Sequence, residues 1–178
     1  MRNVSCIVLD IETTGLVPEN GHDEIVQLAI IDQDQQVLFH QYFLTSKAYQ
    51  RNEFAPAESL FEQELYPFAQ YRNQIQDIID EAPLIVAYNF SFDYSFLHEA
   101  GIIFDKKPFY CVMKGFAAVY GRRNASGDSW RWQTLSTCAS YFGYPPFQAH
   151  DALEDAKATL YCFEKTVELK RQVDRSNV

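Results

Sequence analysis

The chain has 178 residues, of which 47% are hydrophobic and 15% aromatic, so it predicts one folded domain with a substantial core and excludes a disordered chain. Its net charge of −9 and its pI near 4.8 argue against broad electrostatic binding to long duplex nucleic acid, while local contacts with nucleic acid stay open. We expect a single domain over residues 1–178, with a core at about 4–170 and a short frayed C-terminal tail.

The four cysteines are widely spaced and include no Cys-x-x-Cys pair. This spacing makes a zinc site unexpected and favours buried, reduced thiols. We expect no signal peptide at the start of the chain, and no apolar run approaches membrane-spanning length. We therefore expect a cytoplasmic protein with no membrane contact.

The first candidate strand lies within Val4–Leu16, where an apolar run leads into Asp10 and Glu12 and ends at a Thr-Thr-Gly turn. β-Branched and apolar residues dominate it, which is typical of a central strand. Side chains two positions apart point the same way, so Asp10 and Glu12 share a face while Ile11 points to the other. Adjacent carboxylates repel each other, and a divalent cation would relieve that repulsion. On this stretch alone, acids that simply face water are an equally good interpretation.

Four further strands are predicted from short apolar runs. Glu24–Asp32 and Val37–Leu44 flank a short polar stretch, so they predict a hairpin and, with the first strand, an antiparallel meander. Leu84–Ala87 and Phe109–Val112 predict two short strands. The polar stretch Thr45–Ala57 predicts an irregular segment.

Apolar residues at helical spacing predict five helices, several of which end at a glycine or proline. The expected bounds are from near Pro67 to Glu81, Phe92–Ala100, Lys114–Tyr120, Thr134–Phe142 and Asp151–Val173. Between the third and fourth helices, Gly121–Trp132 predicts an exposed loop with three arginines. The fold class is α/β: a mixed sheet, with a three-stranded antiparallel start followed by parallel strands, flanked by helices on both faces.

Two later segments place acids and a histidine at helix starts. Asp93 lies near the start of the second helix, where the macrodipole alone favours an acid. His150 precedes the last helix, Asp151 is a candidate N-cap, and Asp155 is expected in the second turn among small residues. Such neighbours allow close approach to a sheet, so Asp155 would be partly buried and would need a counter-charge. A water-exposed loop histidine is the ordinary alternative for His150.

Together these segments resemble the DEDDh 3′–5′ exonucleases, a family with an RNase H-like fold that includes the proofreading epsilon-type subunits. The matching stretches are DIETTGL at 10–16, NFSFD at 89–93 and HDALEDA at 150–156. Each motif alone is a weak signal, but all three in order and in the expected structural context are specific. The resemblance spans roughly residues 4–165 and implies an RNase H-like mixed sheet.

The resemblance implies an enzyme that hydrolyses phosphodiester bonds at single-stranded 3′ ends and releases nucleoside 5′-monophosphates, with DNA as the expected substrate. Four carboxylates would hold two divalent ions, Mg²⁺ or Mn²⁺, and a histidine would take a proton from the attacking water. Two-metal sites activate water and stabilise the leaving oxygen, and a histidine titrates near neutral pH. The implied residues are Asp10, Glu12, Asp93 and Asp155 for the metals and His150 for the base.

The same resemblance implies a set of residues that hold the terminal nucleotide. Gly15 would let the backbone approach the substrate, and Leu16 would pack against the terminal base, although an ordinary turn with a core leucine is an alternative. Apart from the resemblance, Phe92 is a candidate to stack on a base, since stacking accepts every base, although most aromatic residues of the chain are expected in the core. Asn89 would orient Asp93 or bind the substrate backbone. The full set is Thr13, Thr14, Gly15, Leu16, Asn89 and Phe92.

Three other features bear on the substrate. Arg122, Arg123 and Arg131 form a cationic cluster that would contact phosphates or remain a solvated loop. Tyr88 stands where family members usually carry histidine, and Tyr49–Leu65 lacks the His-Gly-Ile type of turn common in proofreading members. Both departures leave substrate preference open.

Several alternatives to a DNA exonuclease remain at this point. They are an exoribonuclease acting on RNA ends or short oligoribonucleotides, a non-catalytic module that binds nucleic acid or a polymerase, and a metal-stabilised structural domain. The expected partners are single-stranded DNA or RNA 3′ ends, with a polymerase or another protein as a further candidate. The sequence leaves monomer and dimer open.

Overall fold

The computed structural model describes residues 4–46 and 64–176. Its strands are β1 (Ile7–Thr13), β2 (Ile25–Asp32), β3 (Val37–Tyr42), β4 (Ile85–Ala87) and β5 (Phe109–Cys111). They form one five-stranded sheet in the order β3-β2-β1-β4-β5, in which β1, β2 and β3 are antiparallel neighbours while β4 and β5 run parallel to β1. The predicted mixed sheet is confirmed. Residues 47–63, on which most of the expectations for Thr45–Ala57 and Tyr49–Leu65 fall, lie outside the described residues.

The helices are α1 (Arg72–Glu81), α2 (Phe90–Glu99), α3 (Val112–Tyr120), α4 (Leu135–Phe142) and α5 (Ala152–Ser176). Helix α1 starts later than predicted because the backbone after Pro67 first forms a 3₁₀ turn at Phe68–Gln70. Helix α2 starts two residues earlier than predicted, with Asn89 as its N-cap residue. The stretch Gly121–Trp132 is exposed as predicted, and part of it pairs as a small hairpin.

The core lies where α5 crosses the sheet. Strand β2 is buried along its whole length, and α5 packs against β1, β2 and β4. Ala152 and Ala156 are fully buried on the sheet-facing side of α5. Small side chains let a helix approach a sheet closely, which draws the first turn of α5 toward the strand that carries Asp10 and Glu12.

The sheet order sets the position of the functional residues. Strands β1 and β4 are parallel neighbours, so the end of β1 with Glu12 lies beside the turn from β4 into α2. The carboxyl edge of parallel strands is where α/β folds commonly place their sites. In the described part of the chain, no helix is long and apolar enough to cross a membrane.

Candidate active site

Four carboxylates meet at the carboxyl end of β1. Asp10 and Glu12 on β1 and Asp155 on α5 bring carboxylate oxygens within 4.8 Å of one another. Asp93, in the first turn of α2, lines the same cleft, and its charge acts on Asp10. The sheet therefore brings together acids from three separate parts of the sequence.

The two helical acids are held differently. The Asp93 side chain is only 4% exposed, and the nearby backbone of Asp93 and Ile11 partly offsets the rise in its pKa that burial causes. One Asp155 oxygen, Oδ2, accepts a hydrogen bond from the His150 backbone N–H at 3.2 Å. The other, Oδ1, is buried and has no hydrogen-bond partner among the described residues. A buried carboxylate oxygen without a partner is costly, so Asp155 Oδ1 is suited to bind a cation.

The electrostatics of the cluster oppose ionisation. Burial, followed by the charges of neighbouring carboxylates, raises the pKa of Asp10 well above its usual range and that of Glu12 to about 8. Burial is also the main reason that the pKa values of Asp93 and Asp155 rise to about 7. A positive charge beside these carboxylates would lower their pKa values and favour the ionised forms near neutral pH.

The N-terminus of α5 is fixed by Asp151, as the sequence suggested for the cap. Its Oδ1 accepts the backbone N–H groups of Leu153 and Glu154, each at 3.1 Å. Its Oδ2 accepts the Tyr42 hydroxyl at 3.2 Å and the Gln27 side-chain amide at 3.3 Å, which ties α5 to β3 and β2.

These contacts change two sequence-based interpretations. Because α5 starts at Ala152, Asp155 lies in the first turn and not in the second as predicted. The role of Gln27 was missed, although a glutamine inside the apolar run EIVQLAIID was a readable signal. Gln27 is buried, its side-chain oxygen accepts the Ala152 N–H at 3.1 Å, and it pairs in register with Glu12.

All eleven residues predicted for the site line one open cleft of about 520 Å³. His150 lies at the cleft with a left-handed backbone, φ +66°, immediately before α5. Leu16 is 79% exposed, so it is not a core leucine. The cleft residues are Asp10, Glu12, Thr13, Thr14, Gly15, Leu16, Asn89, Phe92, Asp93, His150 and Asp155, joined by the unpredicted Ile11, Tyr88 and Leu135.

Side chains of the turn itself and of the loop before β2 hold the turn after β1. The Thr13 hydroxyl donates to the Gly15 carbonyl at 2.6 Å, and the Thr14 hydroxyl accepts the Glu24 backbone N–H at 2.9 Å. Asp23 accepts the N–H of residue 17 at 2.9 Å, and its carboxylate fills the space that a Cβ at Gly15 would need. A side chain at Gly15 would therefore have to displace the Asp23 carboxylate, a contact that the sequence did not indicate.

Three aromatic residues at or next to the cleft make different contacts. Phe92 lines the cleft and packs 5.0 Å from the ring of Phe96. Phe90 turns away and stacks on Phe109 at 4.2 Å. Tyr88 is buried, and its hydroxyl lies 3.0 and 2.8 Å from the carbonyl oxygens of residues 133 and 134, so it holds the chain that leads into α4.

The chain is similar in sequence to a known protein family and to a larger protein. Residues 7–163 match the protein-family model described as Exonuclease. The chain is 26% identical to a PolC-type DNA polymerase III from Thermotoga petrophila, over 97% of this chain and 12% of that protein. The chain thus spans about an eighth of the length of this relative.

Two solved structures resemble the fold. The Escherichia coli exonuclease I complex with a dT13 oligonucleotide superposes with a TM-score of 0.68 at 18% identity, over 98% of this chain and 43% of that one. The catalytic unit of Neurospora crassa Pan2, described as its protease and nuclease domain, gives a TM-score of 0.68 at 13% identity, over 97% and 28%. At these identities the likeness shows a shared fold.

Proposed function

The chain belongs to the exonuclease family, and we propose that it removes nucleotides from the 3′ end of single-stranded nucleic acid in a metal-dependent reaction. The family match confirms the predicted exonuclease family and enzyme class, and the DEDDh subtype stays a prediction. The observation that carries the metal-dependent part is the carboxylate cluster, in which oxygens of Asp10, Glu12 and Asp155 lie within 4.8 Å of one another. We propose that the chain acts as one exonuclease domain, since one sheet with its surrounding helices and loops carries every residue of the cleft.

The donor set fits hard divalent cations. Carboxylate oxygens are the ligands that Mg²⁺ and Mn²⁺ prefer, and Asp155 Oδ1 is a buried ligand atom without a partner among the described residues. Asp10, Glu12, Asp93 and Asp155 would hold two such ions. When bound, the ions would supply Lewis-acid activation of water and stabilise charge on the leaving 3′-oxygen.

The chain's own residues supply the remaining chemistry. His150 accepts the proton of the attacking water on its imidazole, and its position just before α5 holds it beside Asp155. Leu16 packs its exposed side chain against the terminal base, Phe92 stacks on a base, and Thr13 and Thr14 shape the backbone around the terminal nucleotide. Asn89, an exposed residue at the cleft, contacts the substrate backbone.

The preference for DNA rests on the neighbours. Exonuclease I is solved with single-stranded DNA oligonucleotides, and the sequence relatives are DNA polymerases. The same similarity makes a polymerase a candidate partner. RNA ends are the second candidate substrate. Tyr88 stands where members of the DEDDh family usually carry histidine, and this departure leaves the choice between DNA and RNA open.

The test uses 5′-labelled single-stranded DNA and RNA of one sequence, with Mg²⁺ or Mn²⁺, with chelator, and with two histidine variants. We expect a ladder that shortens from the 3′ end, disappears with chelator and is slowed about 10²- to 10⁴-fold by His150→Ala. His98→Ala is the matched control, because His98 lies on α2 and does not line the cleft. Intact oligonucleotides in every lane would contradict the proposal and favour a non-catalytic binding module, and faster RNA cleavage would reverse the preference.

A further inference from the structure

The segment between α3 and α4 forms an ordered hairpin, here called the arginine hairpin, residues 122–132. The Arg131 N–H donates to the Arg122 carbonyl at 2.8 Å, the Asn124 N–H donates to the Ser129 carbonyl at 2.9 Å, and residues 123 and 130 form an antiparallel bridge. The Arg123 guanidinium carbon lies 3.8 Å above the ring of Trp130. Backbone hydrogen bonds and this cation–π contact therefore hold the hairpin in a defined shape.

The arginine hairpin differs chemically from the rest of the chain. It carries three arginines and one aspartate within a protein of net charge −9. It also holds both tryptophans of the chain, and Trp132 is 61% exposed. Large aromatic side chains are normally mostly buried, so a tryptophan held in water beside arginines points to a surface that meets a ligand.

The hairpin is attached to the rim of the catalytic cleft. Tyr88 lines the cleft, and its hydroxyl holds the carbonyl groups of Gln133 and Thr134, the residues that follow the hairpin. Leu135, the next residue, also lines the cleft. Arg131 is four residues from Leu135, so their Cα atoms are at most about 14 Å apart.

From these observations we propose that the arginine hairpin is a second binding site for single-stranded nucleic acid, which engages the strand a few nucleotides upstream of the 3′ end bound in the cleft. This inference rests on the proposed function. Arg122 and Arg131 attract phosphates, and Trp132 stacks on a base. Charge complementarity selects this occupant, because a polyanion needs a cationic entry point on an acidic protein.

A binding test that requires no catalysis comes first. Because both tryptophans lie in the hairpin, intrinsic tryptophan fluorescence reports on it alone. A single-stranded oligonucleotide of about 20 nucleotides, added with chelator to prevent cleavage, should quench this fluorescence, and the log–log salt dependence of binding should become shallower by about 1.4 in Arg122→Gln/Arg131→Gln. The charge-matched control is Lys106→Gln/Arg171→Gln, two exposed cations outside the hairpin and the cleft. An emission unchanged at saturating oligonucleotide would overturn the proposal and favour a protein partner.

A kinetic test separates the hairpin from the cleft. The p-nitrophenyl ester of thymidine 5′-monophosphate has no upstream strand, so it probes the cleft alone. We expect Arg122→Gln/Arg131→Gln and Trp132→Ala each to lower kcat/KM about tenfold on the oligonucleotide, mainly through KM, and to leave ester hydrolysis unchanged. Equal losses on both substrates, or none on either, would overturn the inference. If the wild-type protein hydrolyses neither substrate, the proposed function fails, while the fluorescence test still decides the hairpin.

Discussion

Asp155→Asn should stabilise the metal-free protein while it abolishes metal-dependent hydrolysis. The asparagine oxygen can still accept the His150 N–H, and the new amide replaces the unpartnered Oδ1 with a donor facing the carboxylates of Asp10 and Glu12. One negative charge also leaves a cluster whose members repel each other. Losing a ligand residue is therefore expected to strengthen the fold.

The magnitude follows from the pKa of Asp155. It is about 7 in the folded protein and about 4 in an unfolded chain, so full ionisation costs the folded state about 4 kcal/mol. Between about pH 4 and about pH 7 the folded wild type binds more protons at Asp155 than the unfolded chain does. The free energy of unfolding of the wild type therefore falls as pH rises through the window from about 4 to about 7. Because the cleft is open and water solvates part of the charge, we expect about 2 kcal/mol near pH 8, or about 4 to 8 °C in Tm.

The assay is thermal unfolding with chelator, repeated from about pH 4 to pH 8 across the window of linkage. The variant should melt above wild type near pH 8, and the difference should vanish toward pH 4. Added Mn²⁺ should raise the Tm of wild type more than that of Asp155→Asn. Glu164→Gln is the matched control, since it removes one exposed acid from the same helix. If Asp155→Asn melts at or below the control with chelator near pH 8, the electrostatic reasoning is wrong.

Two further substitutions test the supports of the site. Gly15→Ala should displace the Asp23 carboxylate from the turn after β1. We expect steady-state kinetics on an oligonucleotide to show a KM raised about tenfold with a smaller change in kcat. An unchanged KM would show that the turn does not hold substrate. Asp151→Ala should lower the free energy of unfolding by about 1 to 2 kcal/mol, because it removes the cap of α5 and its hydrogen bond with Gln27. Asp151→Asn keeps the cap, so its free energy of unfolding should fall by less. An equal decrease in the two variants would contradict the capping account.

The sheet and the acids were readable because short-range patterns fix them. The two-residue period of a strand put Asp10 and Glu12 on one face, and the short polar stretch before Val37 specified the hairpin. The small residues around Asp155 indicated a helix face that approaches the sheet, and Ala152 and Ala156 are indeed buried there. Such features depend on local geometry, which the sequence carries directly.

The missed features depend on side-chain contacts that no local sequence period encodes. The Asp23 carboxylate occupies the space next to Gly15 within the same loop, and Gln27 reaches residues 151 and 152 across 124 or more positions. Neither pairing has a local periodicity. The late start of α1 has a local cause, since the chain after Pro67 forms a 3₁₀ turn whose residues satisfy the same apolar spacing as a helix.

Tyr88 links the departure from the DEDDh pattern to the arginine hairpin. It is buried and lines the cleft, and its hydroxyl holds the backbone between the hairpin and α4 at two carbonyl groups. An imidazole is shorter than a phenol, so a histidine at this position would not reach both carbonyls in the same way. The four cleft acids and His150 do not depend on that contact, whereas the position of the hairpin relative to the cleft does. The departure therefore bears on the proposed path of the strand and the choice of substrate, while the residues proposed for hydrolysis line the cleft independently of it.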